Sequence, residues 1–367
     1  MAQTVIPWGH PSAQKKWSPT LAVDVTRKSF WGRKFVGKGE NNIIEEKMDV
    51  AADTGDRVSF DISVRLRQAP VKGDATLEGK EENLRFFSDE VIVDQMRHSV
   101  SAGGRMSRKR TIHDTRVVAR NRLSDYWKEY VDWLCFCYIS GARGVNAEFV
   151  EPLDWAGHAG NPLEAPDAAH ILYAAAGVSA KTGITSSDKM SRNLIERAMT
   201  RAKMMRAIDQ DATTIVPVDI DGEPHFVTLM STYQEHERRT GTATADWFDI
   251  QKAAATAEGR NSPIFKGSLG MVNNVVLQSH ESVIRFSDYG AGANLPAARA
   301  LFMGRQAGVM AYGTPGGLRY SWTEELKDYG NQPMVAAGPI LGMTKTRYNG
   351  KDFGVISLDT YAKDPEA

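Results

Sequence analysis

Glu235-His236-Glu237 is the densest group of side chains in the chain that could ligate a metal or move a proton. A zinc centre needs a second set of ligands at a defined spacing, and neither His-Glu-x-x-His nor paired Cys-x-x-Cys occurs. The triplet therefore reads as a solvated, charged turn. Asp219-Ile220-Asp221-Gly222 resembles the middle of a calcium loop. With Gly222 in sixth place, however, Pro217 would stand first and Thr228 twelfth, where carboxylates are required. It reads instead as the Asp-Gly turn of a hairpin. Gly37-Lys38-Gly39 and Gly290-Ala291-Gly292 lack the spacing of a dinucleotide or phosphate loop, and no serine sits in Gly-x-Ser-x-Gly. The expectation is no catalytic, cofactor-binding or metal-binding residue. A metal-dependent hydrolase using Glu235, His236 and Glu237 is the enzymatic alternative.

The composition is that of an ordinary globular protein, long enough at 367 residues for two or three compact units, with 42% hydrophobic and 25% charged residues. No apolar run could span a bilayer, and Met1 to Trp8 has no basic start before an apolar core. The chain thus reads as made and kept in a cytoplasm, with no membrane partner. Its 45 basic and 45 acidic residues cancel, which disfavours binding that depends on neutralising phosphates. Cys135 and Cys137 are the two cysteines; on a helix they point about 200° apart and read as reduced, structural thiols.

Charge is unevenly spread. Met1 to Gly39 holds Lys15, Lys16, Arg27, Lys28, Arg33, Lys34 and Lys38 against Asp24 alone, while Glu40 to Asp56 holds six acids against Lys47. The first forty residues are broken by Pro7, Pro11 and Pro19 yet carry Trp8, Trp17, Phe30, Trp31 and Phe35. A basic arm rich in aromatics is expected to pack against an acidic surface.

The elements expected to hold these groups begin with a hairpin between Gly55 and Val100. Arg57 to Arg67 alternates polar and apolar, Leu84 to Val93 is rich in β-branched and aromatic residues, and between them lies a Gly-rich tip with Asp74, Glu78, Glu81 and Glu82. An isolated two-stranded ribbon is marginal in water, so a neighbouring copy is expected to cover it. A helix of about 30 residues follows from Ser107 or Thr111 to Ser140-Gly141, long enough to act as a strut. Residues 142–186 read as loop with a short helix near 168–176. A second helix is expected over 187–208, a hairpin over 214–230 and a third helix over 246–258. Short strands follow near 272–278, 298–302, 338–345 and 353–358. The order is α+β.

Arm, protruding hairpin and strut in that order resemble the major capsid proteins of tailed bacteriophages, which share the Hong Kong 97-type fold. Within them the chain is most similar to the capsid family of podophages with large virion-packaged RNA polymerases. The residues that carry the likeness are Ile6-Pro-Trp-Gly-His-Pro11 with Trp17-Ser18, Phe35-Val-Gly-Lys-Gly39, Gly55-Asp56 and Gly73-Asp-Ala-Thr-Leu-Glu-Gly-Lys-Glu-Glu82. Asp94-Gln95-x-Arg97, Ser140-Gly141-x-Arg143-Gly144, Ile264-Phe265-x-Gly267, Asp328-Tyr329-Gly330 and Lys351-Asp352-Phe353-Gly354 extend it over nearly the whole chain.

The resemblance implies an N-terminal arm at 1–40, an extended loop region at 41–106 and a peripheral domain with a spine helix at 107–187. It implies an axial domain at 188–333 and a return to the peripheral sheet at 334–367. It further implies self-assembly, as pentamers and hexamers, into an icosahedral head that encloses double-stranded DNA without sequence preference. The implied partners are a scaffolding protein, a portal and a decoration protein, and the implied location is the virion, assembled in a host cytoplasm. A nanocompartment shell of the same fold is the nearer alternative. The Lys–Asn cross-link of the founding member is not carried over, since no suitably placed carboxylate is identified. The residues expected to contact other subunits are Trp8, Lys15, Lys16, Trp17, Trp31, Arg33 and Lys34 of the arm and Asp74, Glu78, Glu81 and Glu82 of the tip. Arg108, Lys109 and Arg110 at the start of the helix complete the set.

Overall fold

The computed structural model describes residues 29–48, 55–63, 66, 68–74, 76–110, 115–208, 214–220, 222–240, 264, 268–315 and 318–366. From the N-terminal side come helix α1 (Phe30–Lys34), strands β1 (Val36–Gly37), β2 (Ile44–Lys47), β3 (Arg57–Ser63), β4 (Phe86–Ile92), β5 (Asp94–Gln95) and β6 (His98–Ser101), then helices α2 (Arg105–Arg110) and α3 (Thr115–Ser140). Next are β7 (Gly157–His158), β8 (Asn161–Pro162), β9 (Ile171–Tyr173), helix α4 (Arg192–Ile208), β10 (Val218–Ile220), β11 (Glu223–Ser231) and helix α5 (Thr232–Thr240). Last are β12 (Gly270–Val272), β13 (Val275–His280), β14 (Arg285–Tyr289), β15 (Leu295–Met303), β16 (Gly308–Tyr312), β17 (Ser321–Lys327), β18 (Gln332–Gly338), β19 (Ile340–Lys345), β20 (Arg347–Tyr348), β21 (Lys351–Asp352) and β22 (Val355–Tyr361).

Three sheets organise the chain. The largest runs β12-β13-β11-β15-β22-β9, with β10 added to β11 and β14 to β15. A second runs β1-β2-β16-β19-β5, and a third runs β17-β18-β6. Helix α3 forms because Ala119, Leu123, Trp127, Tyr130, Leu134 and Tyr138 recur at three- and four-residue steps, and all are buried. It ends at Gly141, whose φ of +69° suits the left-handed cap and whose N–H bonds the Cys137 carbonyl at 2.9 Å. A Cβ there would stand 1.9 Å from the Glu164 carbonyl oxygen.

The expected strut is only half a strut. Val117, Val118, Asn121 and Arg122 are exposed, but from Tyr130 to Ser140 every residue except Trp133 is buried. That half packs in one cluster with Trp31, Phe35, Ile44, Met310 and Leu341, and so forms the middle of the core. Helix α4 makes a second core: Leu194, Ala198, Ala202 and Met205 lie on one face against Phe226, Leu277, Phe302 and Ile356 of the large sheet.

Other expectations shift. The helix near 168–176 is absent; Ile171–Tyr173 instead pairs parallel with Ser357–Asp359, because a buried sheet position outweighs local helical preference. Glu235-His236-Glu237 belongs to a helix rather than a turn. Gln234 directs it inward, accepting from the Ser231 N–H at 2.8 Å and donating to the Ala298 carbonyl at 3.0 Å. The sequence reading places no strand at β14, β16 or β17. The third helix, at 246–258, falls outside the described residues. Of the last strands, β18 pairs with β6, close to α3, whereas β22 joins β15 in the large sheet.

Candidate assembly surfaces

The hairpin β3–β4 is antiparallel, with Arg57 opposite Ile92 and Ser63 opposite Phe86. An ion pair of 2.7 Å joins Arg57 to Glu90 across it. Its root is not unsupported, contrary to expectation. Val58, Val91 and Val93 are buried with Val309 and Ala311 of the second sheet. Asn161 clamps Ile92 from both sides, accepting from its N–H at 3.0 Å and donating to its carbonyl at 2.8 Å. Asp89 accepts from the Arg347 N–H at 3.0 Å, and burial holds its carboxyl above the ordinary range.

Beyond the root the character changes. Leu66, Leu77, Leu84 and Phe86 are 62%, 63%, 64% and 59% exposed. Asp74, Glu78 and Glu81 are exposed, and Glu82 is half-buried, its carboxylate accepting from the Gln68 N–H at 2.7 Å. Lys72 and Lys80 stand among these acids, so the tip is mixed in sign with acids in excess. Large apolar groups left in solvent beside fixed charges are the mark of a surface meant to be covered.

A second such surface is α2. Lys109 and Arg110 are exposed, beside Met106 at 59%. Arg108 is half-buried and donates to the Asn331 carbonyl at 3.2 Å. Residues 111–114, which lead to α3, are outside the described set.

Of the arm, Trp8, Lys15, Lys16 and Trp17 lie outside the described residues. Trp31 does not offer a contact surface: it is 0% exposed, with its ring 5.2 Å from that of Phe136 and 5.3 Å from that of Phe35. The arm is anchored here. Asp132 on α3 accepts from the Ser29 hydroxyl at 2.7 Å and from the N–H groups of Phe30 and Trp31 at 2.9 and 3.1 Å. Lys34 is drawn inward too, donating to Gln278 at 3.0 Å over the Phe30 ring; burial, with Arg33 nearby, lowers its pKa. Arg33 remains exposed.

Glu235, His236 and Glu237 do not converge. Glu235 accepts from the Ser279 hydroxyl at 2.7 Å, while Glu237 is buried 3.7 Å from Lys189. Among the described residues no group of three or more His, Cys, Asp or Glu side chains could hold a metal. Gly222, at φ +82°, serves the β10–β11 turn. Cys135 and Cys137 are free and buried, and burial raises both thiols.

Two features escaped sequence reading. Arg299, Asp359 and Tyr289 form a buried cluster at the C-terminal end of α3, where Arg299 donates to the Ser140 carbonyl at 3.0 Å. The loop after α3 exposes Val145, Val150 and Leu153 at 45%, 59% and 69%. The apolar–acidic alternation of Val145 to Trp155 is the signal that could have found the second.

An α+β subunit with a projecting hairpin, a half-buried long helix and uncovered apolar groups is built for association with copies of itself. Residues 5–364 match the phage capsid protein family, and the chain belongs to it. It is 25% identical over 364 residues to the major capsid protein of Pseudomonas phage KPP25, covering 88% of this chain and 89% of that one. Among solved structures, the capsid of Ralstonia phage GP4 is 59% identical, with a TM-score of 0.86 over 99% of both chains. The Cyanophage Pam1 capsid shares the fold at 19% identity, with a TM-score of 0.71 over 92% of this chain and 93% of that one. The protein is a bacteriophage major capsid protein of Hong Kong 97-type fold, which assembles with itself into the capsid of the virion.

Proposed function

We propose that this subunit closes, as pentamers and hexamers, into an icosahedral head that holds double-stranded DNA, and that it acts by assembly rather than catalysis. The observation that carries the reading is the hairpin: a root locked into its own subunit and a distal part whose leucines and Phe86 are left in solvent. That part lies over an adjoining subunit, with Asp74, Glu78, Glu81 and Glu82 toward Arg108, Lys109 and Arg110 or toward the basic arm. Contacts of this heterologous kind close rings and shells. Each is weak alone, but several made by one subunit act at high effective concentration. The balanced net charge suits a head that contacts DNA without sequence preference.

A scaffolding protein and a portal are the partners such assembly takes in the host cytoplasm, and a decoration protein is a further candidate on the finished head. Electron microscopy of the expressed protein, alone and with the products of neighbouring genes, tests the reading. Closed regular shells are expected; a compact monomer under every condition would count against it.

A further inference from the structure

The hairpin β17–β18 closes through Asp328, Tyr329 and Gly330, all three in the left-handed region at φ +53°, +49° and +81°. A glycine adopts that conformation freely, whereas a tyrosine does not, because its Cβ crowds the following carbonyl. Asn331 holds the turn in place. Its N–H donates to the Asp328 carbonyl at 2.9 Å, and its side-chain amide donates to the Asp328 carboxylate at 2.8 Å. Its side-chain oxygen accepts from the Arg105 N–H at 3.0 Å, and its backbone carbonyl accepts from Arg108 at 3.2 Å. The turn is thereby fixed to α2.

What this bracing presents is a ring with nothing of its own subunit to touch, for Tyr329 is fully exposed. Backbone strain kept in order to hold an aromatic ring in solvent points to a use for the ring. Close by, Met106, Lys109 and Arg110 recur at three- and four-residue steps, so they share one face of α2, and all are exposed. Arg105 and Lys327 are exposed as well. Of the neighbouring acids, Glu324 is buried against Arg116 at 2.6 Å, Asp328 is held by Asn331, and Glu325 is exposed. The surface carries cations in excess around two uncovered apolar groups.

The tip of the β3–β4 hairpin is its opposite in charge. Asp74, Glu78 and Glu81 are exposed there, and Leu77 stands uncovered directly before Glu78. Since Leu77, Met106 and Tyr329 are all left in solvent, the tip of a subunit does not cover its own α2. A second copy supplies the missing half.

We propose that Tyr329 and Met106 receive Leu77 from the hairpin tip of an adjoining copy, with Lys109 and Arg110 against Asp74 and Glu78. This rests on the capsid reading and adds an apolar anchor to its charge pairing. Aromatic residues at the centre of a contact, ringed by polar groups, carry most of its energy. Because Asn331 already orders the turn, docking orders only the hairpin tip, which lowers the entropic cost.

The test uses full-length protein carrying Leu77→Cys and Tyr329→Cys, oxidised in assembled particles and run on a denaturing gel without reductant. A ladder of linked chains is expected, and none from either single variant. Particles without links, links only within single chains, or the same ladder from a single variant would overturn the docking while leaving the shell intact. Failure of the unaltered protein to form shells would sink the capsid reading instead. Should the double variant not assemble, two further comparisons decide. Tyr329→Gly relieves the turn, so the subunit should unfold at no lower denaturant concentration than the unaltered protein, yet particle yield should drop at least about tenfold; Tyr329→Phe should keep the yield. Lys109→Glu with Arg110→Glu is expected to cut yield by a similar factor, and added Asp74→Lys with Glu78→Lys to restore it. Normal yield from the glycine variant, loss from the phenylalanine variant, or no restoration would overturn the contact.

Discussion

Arg299 and Asp359 face one another across β15 and β22 and are joined twice at 2.8 Å, Nε to Oδ1 and Nη2 to Oδ2. Tyr289 donates to the same carboxylate at 2.6 Å, and the remaining arm of the guanidinium donates to the carbonyl of Ser140, the last residue of α3, at 3.0 Å. The pair thus fastens the central helix to the large sheet. Arg299→Met leaves Asp359 buried without its partner and is expected to cost about 3–5 kcal/mol. Adding Asp359→Leu should recover much of that loss. Equilibrium unfolding of the two variants measures the difference; equal losses would show that the charge left behind is not the cause.

Reversing charge at the hairpin tip tests the contact between subunits rather than the fold. Asp74→Lys with Glu78→Lys alters exposed groups, so the subunit should unfold at an unchanged denaturant concentration, within about 0.5 kcal/mol. Shell formation should fail. Particles of normal size and yield from this variant would exclude the tip from pairing.

His280 gives the subunit a defined acid response. It is packed between Phe30 and Phe136, with ring centroids 4.5 and 5.0 Å away, and its Nδ1 accepts from the Ser282 N–H at 3.1 Å. Burial, with Lys128 and Lys34 adding to it, pushes its pKa down to about 4. The unfolded chain takes up this proton near pH 6.5 and the folded chain only near 4, so between these values the unfolded state binds more protons. Stability should therefore fall as pH drops through that window, by at most about 3 kcal/mol from this group. His280→Gln should flatten the slope of unfolding free energy against pH between 6.5 and 4. An identical slope would assign the response elsewhere.

The two thiols should be silent in the folded subunit. Burial raises Cys135 well above the ordinary range and pushes Cys137 up to about 12, so neither forms thiolate at neutral pH. Modification by a maleimide at pH 8 is expected to be on the order of a hundredfold slower than in denaturant. Rapid native labelling would mean that this part of α3 opens readily.

Local pattern made much of this legible. The spacing of Leu123, Trp127, Tyr130 and Leu134 marked α3, and the alternation of Arg57 to Ser63 marked the first hairpin strand. What local pattern does not carry is which distant segment supplies a cover. Val58 and Val91 looked like a ribbon without a core, because Val309 and Ala311 lie more than two hundred residues away. Trp31 looked like an outward aromatic, because the reach of Asp132 back to Ser29 spans 103 positions. Strand β9 is only three residues long, too short to show a period, and exists through its pairing with β22.

The seat of β22 bears on how the subunit is made. Residues 355–361 fit between β15 and β9, inside the large sheet rather than at its rim, and every other strand of that sheet emerges from the ribosome earlier. Until they arrive, β15 and β9 have open edges, and open edges pair with whatever comes near. A chain interrupted before residue 355 keeps that gap and lacks Asp359 as well. The large sheet is thus one continuous surface only once residues 355–361 are in place, so its closure waits on nearly the whole length of chain.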